Sequence, residues 1–281
     1  MSTSMVATNT PAPPSPSPTE SQTPKPTAAP TPTQIPPTPV PTSTDDPFSG
    51  RLLPDLETLP PTDLRLQFDS NSGRTLIRFS NSIWNSGPGI LELIGKPDQT
   101  KDQIQVSQRV YAADQDIFDD YEVGEFVFHD HHNHWHLEQF SVYEVWAVDE
   151  KGSLEGLVSS GGKVSYCIMD VSKAEIDLSD QSVSTSRNYT NCEGRLQGLS
   201  VGWIDIYKSH YWGQWVDITS LDDGIYALIS TVNPDHIIHE ANVHNNTAIT
   251  YFEIRELQLK HLGDIFFEED HYLIPNSYLR P

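Results

Sequence analysis

The chain has 281 residues, with 39 Asp and Glu against 17 Lys and Arg, a formal net charge of −22 at pH 7. That balance excludes a nucleic-acid-binding surface, which needs clustered positive charge to displace counterions. It suits a cationic partner or substrate, which an acidic field steers inward.

In chain order, residues 1–50 come first as a Pro/Thr/Ser-rich spacer that holds most of the 22 prolines. Such a segment buries too little apolar surface to offset its ordering entropy, so it is predicted to be disordered and extended. Residues 1–10 show neither the basic start nor the apolar stretch of a signal peptide, and no run approaches the ~20 apolar residues of a membrane span. Pro/Thr spacers commonly separate an anchor from an exported domain. The expected location is therefore extracellular or at the cell surface, with the export signal or anchor upstream of Met1 or already removed.

Residues 51–60 read as an extended lead-in. Leu64, Leu66 and Phe68 alternate, Asn71-Ser72-Gly73 is a turn signal, and residues 75–79 continue as the second arm of a hairpin. Residues 90–94 form a further strand after the Gly87-Pro88-Gly89 turn. Residues 96–120 are polar and read as irregular. One long strand is predicted over 126–148. Residues 163–169, 215–219, 224–232 and 247–254 are predicted strands, and 171–197 is a polar loop. No stretch has helical apolar periodicity. The pattern predicts an all-β, β-sandwich-like domain with long irregular loops over 51–255, followed by a C-terminal extension, 256–281, without an assigned role.

The stretch with the most chemistry is His129-Asp130-His131-His132-Asn133-His134-Trp135-His136, with five of the chain's 11 histidines. Within a strand, side chains alternate faces. His132, His134 and His136 would share one face at spacings of roughly 7 Å, with His129 and His131 on the other unless the strand begins with a bulge. Three neutral imidazoles suit copper as well as zinc. The run nearly reproduces the HxHxDH pattern of metallo-β-lactamase-like hydrolases, but Asn133 replaces the aspartate and the α/β pattern of that fold is absent. Cupins also carry an HxH pair on an all-β scaffold. Cys167 and Cys192 fit no zinc spacing, which leaves a disulfide or two free thiols. Glu240, Asn242, Asn245 and Asn246 gather oxygen donors in one short turn, either for a hard cation such as Ca2+ or as side chains capping their own turn.

Read in order, the histidine run, Gly162-Lys163-Val164-Ser165-Tyr166-Cys167, Gln197 through Tyr207, Gln214-Trp215-Val216-Asp217-Ile218-Thr219 and Val232-Asn233-Pro234 resemble the lysyl oxidase family of copper amine oxidases. The similarity covers about residues 51–255. It implies copper held by His132, His134 and His136, with His129 at a position not required as a direct ligand. It also implies a lysine tyrosylquinone made from Lys163 and Tyr207; read without it, these two are a surface lysine and a packing tyrosine. A Cys167–Cys192 disulfide is implied, as is calcium held by Asp55, the Leu56 carbonyl and the Glu240–Asn246 stretch, where Asn242 replaces an aspartate of animal members.

The implied activity is oxidation of primary amines, peptidyl lysine or small amines, by O2 to aldehydes, ammonia and hydrogen peroxide. The sequence departs from the family at Val142, where animal members place a histidine proposed as general base. Asp130, Glu138, Asp205 and His210 are the nearby alternatives. The competing expectation is a non-catalytic extracellular copper- or zinc-binding β-sandwich.

Overall fold

The computed structural model describes residues 47–96, 103–113, 116–130, 133–149, 151–175 and 183–266; of Lys163, Ile265 and Phe266 it describes the backbone. The spacer expected over 1–50 lies almost entirely outside these residues, as do His131, His132 and the end of the chain from 267 on.

The described residues form two antiparallel sheets and no helix. Numbered in chain order, the larger, ten-stranded sheet runs β10 (Leu196–Leu199), β4 (Leu91–Gly95), β5 (Gln103–Ala112), β6 (Phe118–His129), β7 (His134–Val148), β13 (Gly224–Val232), β14 (Thr247–Arg255) and β15 (Gln258–Phe266). In addition, β1 (Arg51–Leu52) pairs with β5, and β8 (Leu154–Tyr166) with β7. The smaller sheet runs β12 (Trp215–Asp217), β3 (Arg74–Asn85), β11 (Trp203–Tyr207) and β9 (Ser172–Lys173), with β2 (Leu56–Asp69) on β3.

The β2–β3 hairpin forms where the turn signal lies. Gly73 takes φ of 70°, and Asp69 accepts the Asn71 amide at 3.0 Å and the Ser72 hydroxyl at 2.5 Å. The inward faces of the two sheets then close on each other. Ile77, Phe79 and Val216 from the smaller sheet, with Ile218 just past it, pack on Tyr143, Val145, Leu228 and Phe252 from the larger. A second core joins Leu91, Leu93, Ile104, Val106, Phe126 and Phe140 to Ile83, Leu199 and Trp203. Each such side chain contributes on the order of 1.5–3 kcal/mol by leaving water. The all-β, sandwich-like expectation is met.

Two expectations are corrected. Residues 96–120, read as irregular, contain β5 and the start of β6. Ile104, Val106 and Val110 alternate inward there, and the fourth inward position is Gln108, fully buried, whose side-chain amide donates to the His239 carbonyl at 2.9 Å. The single strand expected over 126–148 is instead a hairpin. Asn133 adopts φ of 56° and its amide donates to the His129 carbonyl at 2.8 Å, so the chain reverses between β6 and β7. Asparagine tolerates this left-handed conformation better than most residues. The stretch after 256 supplies an edge strand, β15.

Phe79 is fully buried, with its ring edge-on to Tyr143 at 4.7 Å. Phe79→Ala should destabilise the protein by about 3–5 kcal/mol, whereas Phe68→Ala, at a side chain 68% exposed, should change it by less than about 0.5 kcal/mol. Denaturant unfolding of the two variants checks this.

Candidate metal centre and its cavity

The hairpin register gathers the imidazoles. His129 stands opposite His134, and Val127 opposite His136. Opposed residues of an antiparallel pair share a face, as do residues two apart. His129, His134 and His136 therefore project to the same side. The rings of His129 and His136 lie 4.4 Å apart, those of His134 and His136 4.8 Å. The Nε2 atoms of His134 and His136 approach to 2.8 Å. At that separation the two ring nitrogens share a proton in the metal-free protein, and the same two nitrogens converge as a metal's ligands do.

Ser165, on β8, approaches His136 Nδ1 at 3.1 Å and His129 Nε2 at 3.5 Å. A hydrogen bond on Nδ1 fixes the tautomer that turns the Nε2 lone pair outward, the usual support for a ligating histidine. The expectation that His129 faces away is corrected, because the turn at Asn133 resets the alternation. His132 lies outside the described residues. Among those described, no group of three His, Cys, Asp or Glu side chains closes around one point.

These imidazoles form one wall of a cavity of about 940 Å3. Glu138 lies beside them, its Oε1 3.6 Å from His129 Nε2. Gly161, Val164, Ser165 and Cys167 come from β8 and its end, Asp205, Ile206 and Tyr207 from β11, and Lys208 with residues 210–215 forms the remaining wall. The backbone of Lys163 lies in β8 among these lining residues and pairs with Val142; its side chain lies outside the described residues. Val142 pairs on its other side with Thr231 and does not line the cavity, and neither does Asp130. Glu138, Asp205 and His210 do.

Tyr207 is anchored at its hydroxyl, which accepts the Cys167 amide at 2.5 Å and lies 3.4 Å from the Cys167 carbonyl. Its ring stacks on Tyr166 at 3.9 Å. Burial, with the Asp205 carboxyl nearby, pushes the Tyr207 phenol well above its ordinary pKa. Asp205, two residues back on the same face of β11, is 1% exposed, and burial pushes its carboxyl well up, with Asp170 adding to the shift.

Behind the cavity a polar network crosses the sandwich. The Tyr166 hydroxyl, held at about 12 by burial, contacts the Tyr143 hydroxyl and receives Asn81 Nδ2 at 3.1 Å. Gln214 Nε2 donates to Tyr143 at 3.1 Å, and Asn81 Oδ1 accepts the Ser230 hydroxyl at 2.9 Å. Two arginines pin the 208–214 wall. Arg78 Nε donates to the Ser209 carbonyl at 2.6 Å and its Nη2 to the Tyr211 carbonyl at 2.5 Å, while Arg65 Nη1 donates to Ser209 Oγ at 2.8 Å. None of these residues stands out in the sequence, since apart from the Tyr143–Tyr166 contact each of these bonds joins residues 71 or more positions apart.

Cys167 and Cys192 are joined by a disulfide with Cα atoms 5.7 Å apart. One half carries the backbone that holds Tyr207. The other half accepts, at its carbonyl, the Trp135 amide at 3.0 Å, between His134 and His136.

The oxygen-rich turn forms a separate cluster. Glu240 Oε2 accepts the Leu56 amide at 2.7 Å, and Oε1 accepts Asn233 Nδ2 at 2.5 Å and Asn246 Nδ2 at 2.8 Å. Asn245 Nδ2 donates to Asp55 Oδ1 at 2.9 Å. Burial raises Asp55 and pushes Glu240 up to about 7. The amide oxygens of Asn245 and Asn246 are buried and find no donor among the described residues. Acceptors without donors beside two desolvated carboxyls are the donor set a hard cation satisfies. Asn242 Oδ1 accepts the His244 amide at 3.0 Å, and so caps its own turn.

An all-β sandwich thus brings a histidine hairpin and a buried tyrosine to one cavity. The lysyl oxidase family signature matches residues 92–261, and the chain belongs to that family. Protein-lysine 6-oxidase of Sus scrofa is 32% identical over 121 residues, 43% of this chain and 43% of that protein. Lysyl oxidase homolog 3A of Danio rerio is 32% identical over 149 residues, 51% of this chain and 18% of that protein. Lysyl oxidase homolog 2 of Xenopus tropicalis is 34% identical over 122 residues, 43% of this chain and 14% of that protein. The chain thus spans less than half the length of these relatives.

Because the disulfide braces both the tyrosine and the histidine hairpin, replacing both cysteines by serine should cost about 3 kcal/mol in denaturant unfolding. The same variant should bind copper more weakly in a metal titration.

Proposed function

We propose that this chain is an exported, copper-dependent amine oxidase that converts primary amines, O2 and water to aldehydes, ammonia and hydrogen peroxide. The observation that carries this reading is the convergence of His134 Nε2 and His136 Nε2 at 2.8 Å in the cavity that Tyr207 lines. His134 and His136 would hold the copper together with His132, and His129 would support them from beside His136. Lys163 and Tyr207 would be the precursors of a lysine tyrosylquinone. Bound copper would supply the redox chemistry with O2, and the quinone an electrophilic carbonyl for the amine.

What the chain's own residues contribute follows from their surroundings. Ser165 orients His136. Tyr166 and the Cys167 backbone fix the Tyr207 ring. Tyr207, Tyr211, Trp212 and Trp215 line the cavity with aromatic surface. The amine reacts as a neutral base, so either the cavity lowers its pKa or a residue there accepts its proton. The acidic surface favours cationic amines, either lysine side chains or small amines. Export is supported by the disulfide, which persists in oxidising compartments, and no described helix is long and apolar enough to cross a membrane.

Calcium at the Asp55, Glu240, Asn245 and Asn246 cluster would have a structural role, neutralising two desolvated carboxyls and joining the start of β2 to the β13–β14 loop. Adding calcium to chelator-treated protein should raise the melting temperature by several degrees, and Glu240→Gln should abolish the increase. An equal melting temperature with calcium and with chelator would remove the site.

Val142, which cannot accept a proton, favours a second reading: a copper- or zinc-binding module without catalysis. One pair of variants separates the two. Lys163→Ala should retain copper by metal analysis but lose quinone redox staining and amine oxidation. His134→Ala should lose copper and, with it, the stain. Absence of stain and of a Lys163–Tyr207 cross-link in copper-loaded wild type would leave the binding module.

A further inference from the structure

We infer that Gln197 is a positioning residue: its buried side-chain amide aligns the histidine hairpin with the tyrosine across the cavity. The inference rests on the proposed copper site for its purpose, though the alignment itself belongs to the folded chain.

Trp135 lies between His134 and His136 and is held at both backbone groups. Its amide donates to the Cys192 carbonyl at 3.0 Å, and its carbonyl accepts Gln197 Nε2 at 2.8 Å. Ile168, next to Cys167, is held in the same way. Its amide donates to Gln197 Oε1 at 3.0 Å, and its carbonyl accepts the Gly198 amide at 3.1 Å. One residue back, the Cys167 amide donates to the Tyr207 hydroxyl at 2.5 Å. A single side chain thus ties the strand that carries the imidazoles to the segment that anchors the tyrosine.

The residue type follows from the two ends. The Trp135 carbonyl needs a donor and the Ile168 amide an acceptor, and a primary amide offers one of each at a fixed separation. A carboxylate in its place could only accept, and an alkyl side chain could do neither. Gln197 is fully buried and lies outside the residues that line the cavity, so it acts through the backbone it holds. Its own backbone is fixed by pairing with Leu93 of β4. A buried polar link of this kind has few geometries that satisfy it.

The Gln197 relay joins the same two segments as the Cys167–Cys192 disulfide, and Cys192 and Gln197 grip Trp135 by its two backbone groups. The two braces work in parallel. The covalent one is set by oxidation, whereas the amide one forms as the chain folds. His134 and His136 flank the clamped residue, so a shift of Trp135 carries both imidazoles with it. Removing the hydrogen-bond partners of metal-ligating side chains typically weakens metal binding by about 10–100-fold. Gln197 holds the backbone between two ligands and not a ring, which puts the expected effect at the lower end.

The test compares Gln197→Met, similar in length but without the two bonds, with Ile249→Ala, a core change in the separate apolar cluster of Ala227 and Ile229. Both variants should melt at a lower temperature than wild type. In competition with a chelator, Gln197→Met should bind copper about tenfold more weakly and show a shifted Cu(II) EPR spectrum, while Ile249→Ala should match wild type in both. In metal-free protein, amide hydrogen exchange should quicken at Trp135 and Cys167 beyond the rest of the chain in Gln197→Met only. Wild-type copper affinity and spectrum in a folded Gln197→Met overturn the inference. If that variant does not fold, the Cys167→Ser/Cys192→Ser protein decides. With the amide relay intact it should bind copper more weakly but with the wild-type EPR spectrum, and an altered spectrum there overturns the inference. Copper binding that depends on Gln197 in a protein that never shows the quinone stain would overturn the oxidase reading and leave the positioning role standing; a wild-type protein that takes up no copper would overturn both.

Discussion

The antiparallel register between β6 and β7 sets the rest of the site. Opposing His129 to His134 and Val127 to His136 puts three imidazoles on one side of a short hairpin. A slip of one residue would turn them all to the opposite face. The register is held on both flanks of β7. On one side the Asn133 turn closes the hairpin; further along, β7 is paired simultaneously with β8 and β13. The apolar partners Phe126 and Leu137, opposed in the same ladder and fully buried, make any other register expensive, because slippage would expose them. Packing of ordinary hydrophobic side chains thus decides where the histidines point.

Against that wall stands a second one built on the smaller sheet, and the contact between the two is polar. Tyr143 and Tyr166 meet in the interior with Asn81, Gln214, Ser230 and Thr58 around them. A buried network of this kind fixes relative position more sharply than apolar packing does, since each member has few geometries that satisfy it. Tyr207 inherits that precision through its stack on Tyr166. The 208–214 wall inherits it through Arg65 and Arg78, whose guanidinium groups hold backbone carbonyls.

Much of the fold was legible from local pattern. The β2–β3 hairpin, β4, β13 and β14 follow alternation and turn residues. Reading failed where one residue changed the period. Gln108 interrupts the apolar alternation of β5 because its amide is satisfied by a partner 131 positions away. Asn133 sits inside an unbroken alternation of histidines, and alternation carries no trace of a reversed chain; Asp130 and Asn133 were the available turn signal. β15 is an edge strand with mostly exposed side chains, so its pattern is weak. The candidate site was legible in unequal parts. His134 and His136 follow from strand periodicity. Lys163 and Tyr207 are ordinary residues locally and gain meaning through family resemblance. Arg65 and Arg78 act on distant partners, which a linear sequence does not display.

The disulfide has a consequence beyond strength. Cys167 carries the amide that holds Tyr207, and Cys192 the carbonyl that holds the histidine hairpin between His134 and His136. One covalent bond therefore registers the two halves of the cavity to each other. While the thiols remain reduced, as in most cytosols, that covalent link is missing and noncovalent contacts alone relate the two halves, among them the β7–β8 pairing and the Tyr166–Tyr207 contact. The site is thereby coupled to redox state: a reduced chain carries the parts without the covalent link between them, and oxidation completes the assembly. For a centre proposed to generate peroxide and aldehyde, the bond works as a delay, lifted only where the chain meets an oxidant.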